Sequence, residues 1–124
     1  MSRPVLEPST EHPITIEPTA GRVTVEVNGR RVAESTSALT LREASYPPVQ
    51  YIPMSDVEQS LLRPSDTHSY CPFKGEASYY SIAPDGQEPL TDVIWTYEQP
   101  HPAVAEIADH VAFYPDRTSI TVSD

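Results

Sequence analysis

The stretch RVTVEVNGRRVAES, residues 22–35, constrains the fold more than any other part of the chain. Asn28-Gly29 supplies the two positive-φ positions that a type I′ turn requires, and the residues on either side alternate in polarity. Folded about that turn, Val25 comes opposite Val32, and Glu26 comes opposite Arg31. One face then carries Val23, Val25, Val27 and Val32, while the other carries Thr24 and the opposed charge pair. A hairpin of this kind places antiparallel β-structure at the start of the domain.

The rest of the chain is punctuated in the same sense. Fourteen of the 124 residues are proline, about twice the usual share, which works against long helices and favours short strands joined by loops. Three prolines in the first thirteen residues mark residues 1–12 as an extended or flexible N-terminal arm, with a single domain over 13–124. ALTLREAS offers a strand with Leu39 and Leu41 on one face. Prolines 47, 48 and 53 make YPPVQYIPM an extended, polyproline-like connector. SDVEQSLLRP reads as a helix of about two turns, with Ser55 and Glu58 as a capping box, Val57, Leu61 and Leu62 as its apolar stripe, and Arg63-Pro64 as its stop. EASYYSIA is an aromatic strand with Ala77, Tyr79 and Ser81 on one face and Ser78, Tyr80 and Ile82 on the other. PDGQEP is a turn by its chemistry. TDVIWTYE is a strand in which Val93, Trp95 and Tyr97 share a face. Pro102 starts a second short helix over PAVAEIAD, and HVAFY and RTSITVS close the chain as strands. Six to eight short strands and two short helices imply a small antiparallel β-sandwich or barrel with the helices at its ends.

Composition narrows the function. The formal net charge is −10, with only 8 Lys and Arg, so phosphate backbones and anionic lipid repel the chain, and neither nucleic acid nor membrane is an expected partner. One cysteine cannot form an internal disulfide, and the N-terminus lacks an apolar signal-like run. A soluble, cytoplasmic protein is the expectation.

That cysteine, Cys71, lies three residues from the chain's one lysine, Lys74, in SYCPFKG. Pro72 presets a turn and Gly75 frees the backbone where the next strand begins. A turn brings i and i+3 together, so the ammonium would favour a thiolate and make Cys71 a nucleophile; the alternative is a small buried packing residue. Lys74 in turn is either a solvated turn residue or a point charge for an anionic ligand or a Schiff base. His68, Cys71, His101 and His110 fall short of the paired spacing that a zinc site shows, so no metal and no other cofactor is expected. Tyr79, Tyr80, Trp95 and Tyr97 lie on adjacent strands near the turn, as core residues or as a ligand wall. Since Tyr79 and Tyr80 point to opposite faces, at most one of them shares a cavity with Trp95. No phosphate loop, nucleophile elbow or zinc-protease motif is present.

The order of RVTVEVNGRRVAES, PPVQYIPMSDVEQSLL, CPFKGEASYYSI and IWTYEQPHPAVAEIADHVAFY resembles a bacterial domain-of-unknown-function family, number 427, over about Arg22 to Arg117. The resemblance implies a small all-β domain without an established activity. It also implies that the family's C-P-aromatic-K-G element falls on Cys71, Pro72, Phe73, Lys74 and Gly75, followed by the aromatic pair Tyr79 and Tyr80. Its Trp-x-Tyr element falls on Trp95 and Tyr97, and its A-F-Y element on Ala112, Phe113 and Tyr114. Gln50-Tyr51 stands where relatives more often carry a tyrosine pair, and Asp109 where they often carry glycine. The family's nucleotidyltransferase label finds no support in the residues, because no Gly-Ser motif followed by paired aspartates occurs. Two readings follow. In one, the chain binds a small, anionic molecule in a pocket built on Cys71, Lys74, Tyr80, Trp95 and Tyr97, with Tyr51 at the rim and Cys71 and Lys74 as candidate catalytic groups. In the other, it is a non-enzymatic interaction module, with a homodimer covering exposed edge strands.

Overall fold

The computed structural model describes residues 4–84 and 88–123; the centre of the expected PDGQEP turn, residues 85–87, lies outside them. The strands are β1 (Ile14–Pro18), β2 (Arg22–Val27), β3 (Arg30–Ser35), β4 (Leu39–Glu43), β5 (Val49–Pro53), β6 (Leu62–Cys71), β7 (Gly75–Ile82), β8 (Leu90–Thr96), β9 (His110–Phe113) and β10 (Ser119–Ser123). Two antiparallel sheets result, a seven-stranded one in the order β1-β4-β5-β9-β8-β7-β6 and a three-stranded one in the order β10-β2-β3. The molecule is mainly β, as the sequence implies, and neither sheet closes on itself. Among the described residues no helix is long and apolar enough to cross a membrane.

The Asn-Gly hairpin forms as β2–β3, with Asn28 at φ 50° and Gly29 at φ 83°. Its register holds at Glu26 opposite Arg31 and then slips, so that Val25 faces Ala33 rather than Val32. The extra residue is a β-bulge, which lets Val32 and Ala33 both bury. Val23, Val25, Val27 and Val32 face Ile52, Ile82, Val93, Ile94, Val111 and Phe113 of the larger sheet in one core cluster. A second cluster lies on the opposite face of the larger sheet. It joins Leu41, Tyr51, Ala77, Tyr97 and Ala112 to Val104 and Ile107, with Ile14, Ile16, Leu39, Cys71, Tyr79 and Trp95 against it.

Four local expectations are corrected. Residues 49–53 form a strand between β4 and β9 rather than a polyproline connector, because Pro47 and Pro48 precede the strand and Pro53 is its last residue, which leaves the inner N–H groups free to bond. The helix expected at 55–63 is replaced by two 3₁₀ turns, Met54–Asp56 and Gln59–Leu61, and Ser55 and Glu58 make no capping box. Val57 between them is extended and bridges Ala33. Ser35 Oγ donates to Asp56 Oδ2 at 2.6 Å, which ties the same segment to β3. Two turns of helix are too short to nucleate alone, and sheet contacts win. Arg63-Pro64 then lie within β6, an edge strand where a proline costs no ladder bond. The second helix is also 3₁₀, at Pro102–Ile107, broken by non-helical angles at Val104. Val93 joins the first cluster, apart from Trp95 and Tyr97, beside a backbone irregularity where Asp92 takes φ 53°.

Candidate functional site at the 71–75 turn

β6 and β7 pair from Leu62↔Ile82 to Cys71↔Gly75, so Pro72, Phe73 and Lys74 form their connection. The Lys74 N–H donates to the Cys71 carbonyl at 3.2 Å, and the Lys74 carbonyl accepts from the His101 N–H at 2.9 Å. Gly75 completes the turn at φ +116°, a value that L side chains rarely adopt. A Cβ there would also stand 3.3 Å from the Gln99 carbonyl oxygen. The turn is therefore held against the segment that leads into the Pro102–Ile107 turn, which fixes where the lysine stem leaves the backbone.

Lys74 does not point into solvent: its side chain is 13% exposed and its ammonium bonds to Glu43 Oε1. The other carboxylate oxygen, Oε2, accepts from His12 Nε2 at 2.7 Å. The ammonium lies 5.9 Å from the centroid of the Tyr97 ring. His12 stacks on Phe73 of the same turn, with centroids 3.9 Å apart and planes 6° from parallel, and makes an edge-type contact with Tyr46 at 6.5 Å. Burial pushes the Glu43 carboxyl up, but hydrogen bonds and charge from Lys74 and His12 together outweigh it and hold the group below the usual carboxylate range. The N-terminal arm completes the assembly. The Leu6 N–H donates to the Pro72 carbonyl at 2.9 Å, and Tyr70 Oη donates to the Pro4 carbonyl at 2.6 Å.

Behind these charges stands the aromatic face of the second cluster. Tyr51 is 1% exposed, and its hydroxyl accepts from Trp95 Nε1 at 3.2 Å, with the rings nearly perpendicular. Trp95 packs on Tyr114 at 4.6 Å. Tyr79 lies opposite Trp95 across β7–β8 and shares a 2.8 Å hydrogen bond with Ser69. Burial drives the phenols of Tyr51 and Tyr97 well above the ordinary tyrosine range. Tyr114 is pushed up to about 12, by burial first and by Tyr79 beside it second.

The structure therefore brings Cys71, Lys74, Tyr51, Trp95 and Tyr97 to one face of the larger sheet. Tyr80 is on the other face, packed against the first cluster, and it lines a cleft of about 180 Å³ with Met54, Thr96, Glu98 and Asp109. Tyr79 stands where Tyr80 was expected. Tyr51 is a core residue and not a rim residue, because β5 is an interior strand whose Tyr51 side chain faces the cluster. The short contact of Lys74 is to Glu43, while half-buried Cys71 packs against the second cluster. His68 pairs with Glu76, His101 approaches Tyr70, and His110 bonds the Ala108 carbonyl. Among the described residues no three His, Cys, Asp or Glu side chains gather as a metal would require.

Two members of the site escape a reading of the sequence. Glu43 was legible in principle, since strand alternation puts it on the face of Leu39 and Leu41, where a carboxylate needs a partner. His12 carried no signal, because it sits in a proline-rich arm whose docking depends on tertiary structure.

No curated protein matches the chain. A family model described as a domain of unknown function, DUF427, matches residues 15–124, which is nearly the whole chain. The chain belongs to the DUF427 family.

Proposed function

We propose that this domain binds a small molecule carrying an anionic group at the 71–75 turn, and that it does so without turning the molecule over. The observation that carries the reading is the linked set Lys74–Glu43–His12, whose lysine and glutamate side chains are only 13% and 11% exposed. Ion pairs withdrawn from water rarely add stability over apolar residues of similar size, so their presence points to a role in recognition. An ammonium has three donors, and Glu43 engages one of them. Its remaining donors are available to meet an anionic group, which makes the set a receptor for anions. Phe73, stacked with His12, and the exposed ring of Tyr46 supply an apolar rim. Trp95 and Tyr97 stiffen the wall behind the lysine, and Cys71 lines it. The supporting frame is the pair of sheets sharing one cluster, which we read as a small β-sandwich. Nucleotidyl transfer needs carboxylates gathered about a divalent metal, and no three His, Cys, Asp or Glu side chains gather in that way among the described residues.

The second reading makes the same set a structural clamp. It is favoured by the two backbone-directed bonds, from Leu6 and Tyr70, that accompany His12 in tying the arm to the turn. Thermal melting with inorganic phosphate and with succinate separates the two. Binding predicts that wild type gains several degrees in Tm at millimolar probe and that Lys74→Met gains none. Equal response of the two proteins, or no response of wild type to either probe, overturns the binding reading and leaves the clamp.

A further inference from the structure

Sheet edges invite pairing, and proteins protect them with charge, proline, bulges or covering segments. Three of the four edges here carry such protection. β1 ends in Glu17-Pro18. β6 contains Arg63, Pro64, Asp66 and His68, and its register breaks between Pro64 and His68. The outer edge of β3 is engaged by the bridge from Ala33 to Val57 and by the Glu58 N–H donating to the Val32 carbonyl at 2.8 Å. β10 differs: Ser-Ile-Thr-Val-Ser is uncharged, free of proline and rich in β-branched residues, and it pairs with β2 on one side only.

The same strand leaves the first core cluster uncovered at one margin. Ile120 and Val122 stand opposite Val25 and Val23. Those two valines are fully buried, yet Val122 is 48% exposed, and Ile120 is only partly buried against the cluster. A strand laid along the free side of β10 would close that margin.

We propose that the occupant is β10 of a second copy of this chain, paired antiparallel about a twofold axis at Thr121. In that register Ser119 faces Ser123, Ile120 faces Val122 and Thr121 faces its own counterpart. Each exposed Val122 then packs beside the other copy's Ile120 on the inner face, and the two three-stranded sheets become one of six strands. This register pairs all five residues, and a shift by one residue would set the inner-face Ile120 against the outer face of its partner. No charged side chain enters the new ladder. That suits a chain of net charge −10, in which most other surfaces would bring like charges together. A strand pair of five residues buries less than the roughly 1,200 Å² of a stable interface, so the dimer forms reversibly and strengthens with protein concentration and with salt.

Sedimentation velocity over a concentration series tests the register. Thr121 is exposed on the outer face, so Thr121→Lys and Thr121→Glu preserve the fold, which circular dichroism checks. Wild type is expected to shift from monomer to dimer as concentration rises. Each variant alone, with like charges at the axis, is expected to remain monomeric, and an equimolar mixture of the two is expected to dimerise again. Backbone amides of β10 in wild type should also exchange more slowly at high concentration than at low. A wild type that stays monomeric throughout, variants that dimerise like wild type, or a mixture that stays monomeric would each overturn the proposal.

Discussion

Glu43 decides whether the 71–75 turn is stable. It accepts from Lys74 and from His12 at once, so replacing it with glutamine leaves an ammonium in a poorly hydrated place without its counter-charge. Glu43→Gln is expected to destabilise the protein by about 3 kcal/mol in chemical denaturation. Glu43→Leu combined with Lys74→Met should cost less than either single change, because no unpaired charge remains. The acid dependence follows from the depressed carboxyl. A group whose folded value lies below its unfolded one adds stability that is present above the unfolded value, here 4.5, and is lost as pH falls through the folded one. The stability gap between wild type and Glu43→Gln should therefore be constant near neutrality and shrink below pH 4.5. A gap that persists unchanged in acid would show that the carboxylate contributes nothing through its charge.

At the level of elements, the turn itself is held by Gly75. Gly75→Ala must place a Cβ against the Gln99 carbonyl and hold φ near +116°, and a loss of about 2 kcal/mol is expected in thermal or urea unfolding. What the sequence made legible at this scale follows local chemistry. The Asn28-Gly29 hairpin, the β7 and β8 strands and the Cys71–Lys74 turn were readable because turn residues and alternation specify them within a few residues. β5 and the start of β6 were not, since Pro47, Pro48, Pro53 and Pro64 mask strands whose pairing comes from distant partners. The two 3₁₀ turns were read as a helix because Val57 and Leu61 fit a helical stripe. Only the bridge to Ala33 shows that Val57 belongs to the sheet side. For the candidate site, the turn and the face shared by Trp95 and Tyr97 were legible, whereas Tyr51 lies in the core rather than at a rim and Tyr80 lies on the opposite face. The partner of Lys74 was not, as His12, Glu43 and Lys74 are brought together from three separate parts of the chain.

Across the whole molecule, the seven tyrosines divide into classes. Burial holds Tyr51 and Tyr97 far above the ordinary value of 10, and Tyr114 rises to about 12. Raised phenols favour the folded state below pH 10, and that contribution is lost as pH climbs through the folded values. An ultraviolet titration should thus show Tyr51 and Tyr97 ionising only as near-ultraviolet dichroism collapses. Ionisation of all seven in one step with the fold intact would contradict the packing of the second cluster.

The position of β2 has a consequence for how the chain comes off the ribosome. β2 is the middle strand of its sheet, flanked by β3, which is next in sequence, and by β10, whose residues 119–123 pair back to residues 22–26. The first core cluster cannot be completed until residues 119–123 have emerged, whatever hairpins have already formed. Synthesis therefore delivers a partly open layer bearing Val23 and Val25, and the final closure is a slow, long-range event. During that interval the nascent chain is the form most in need of a chaperone.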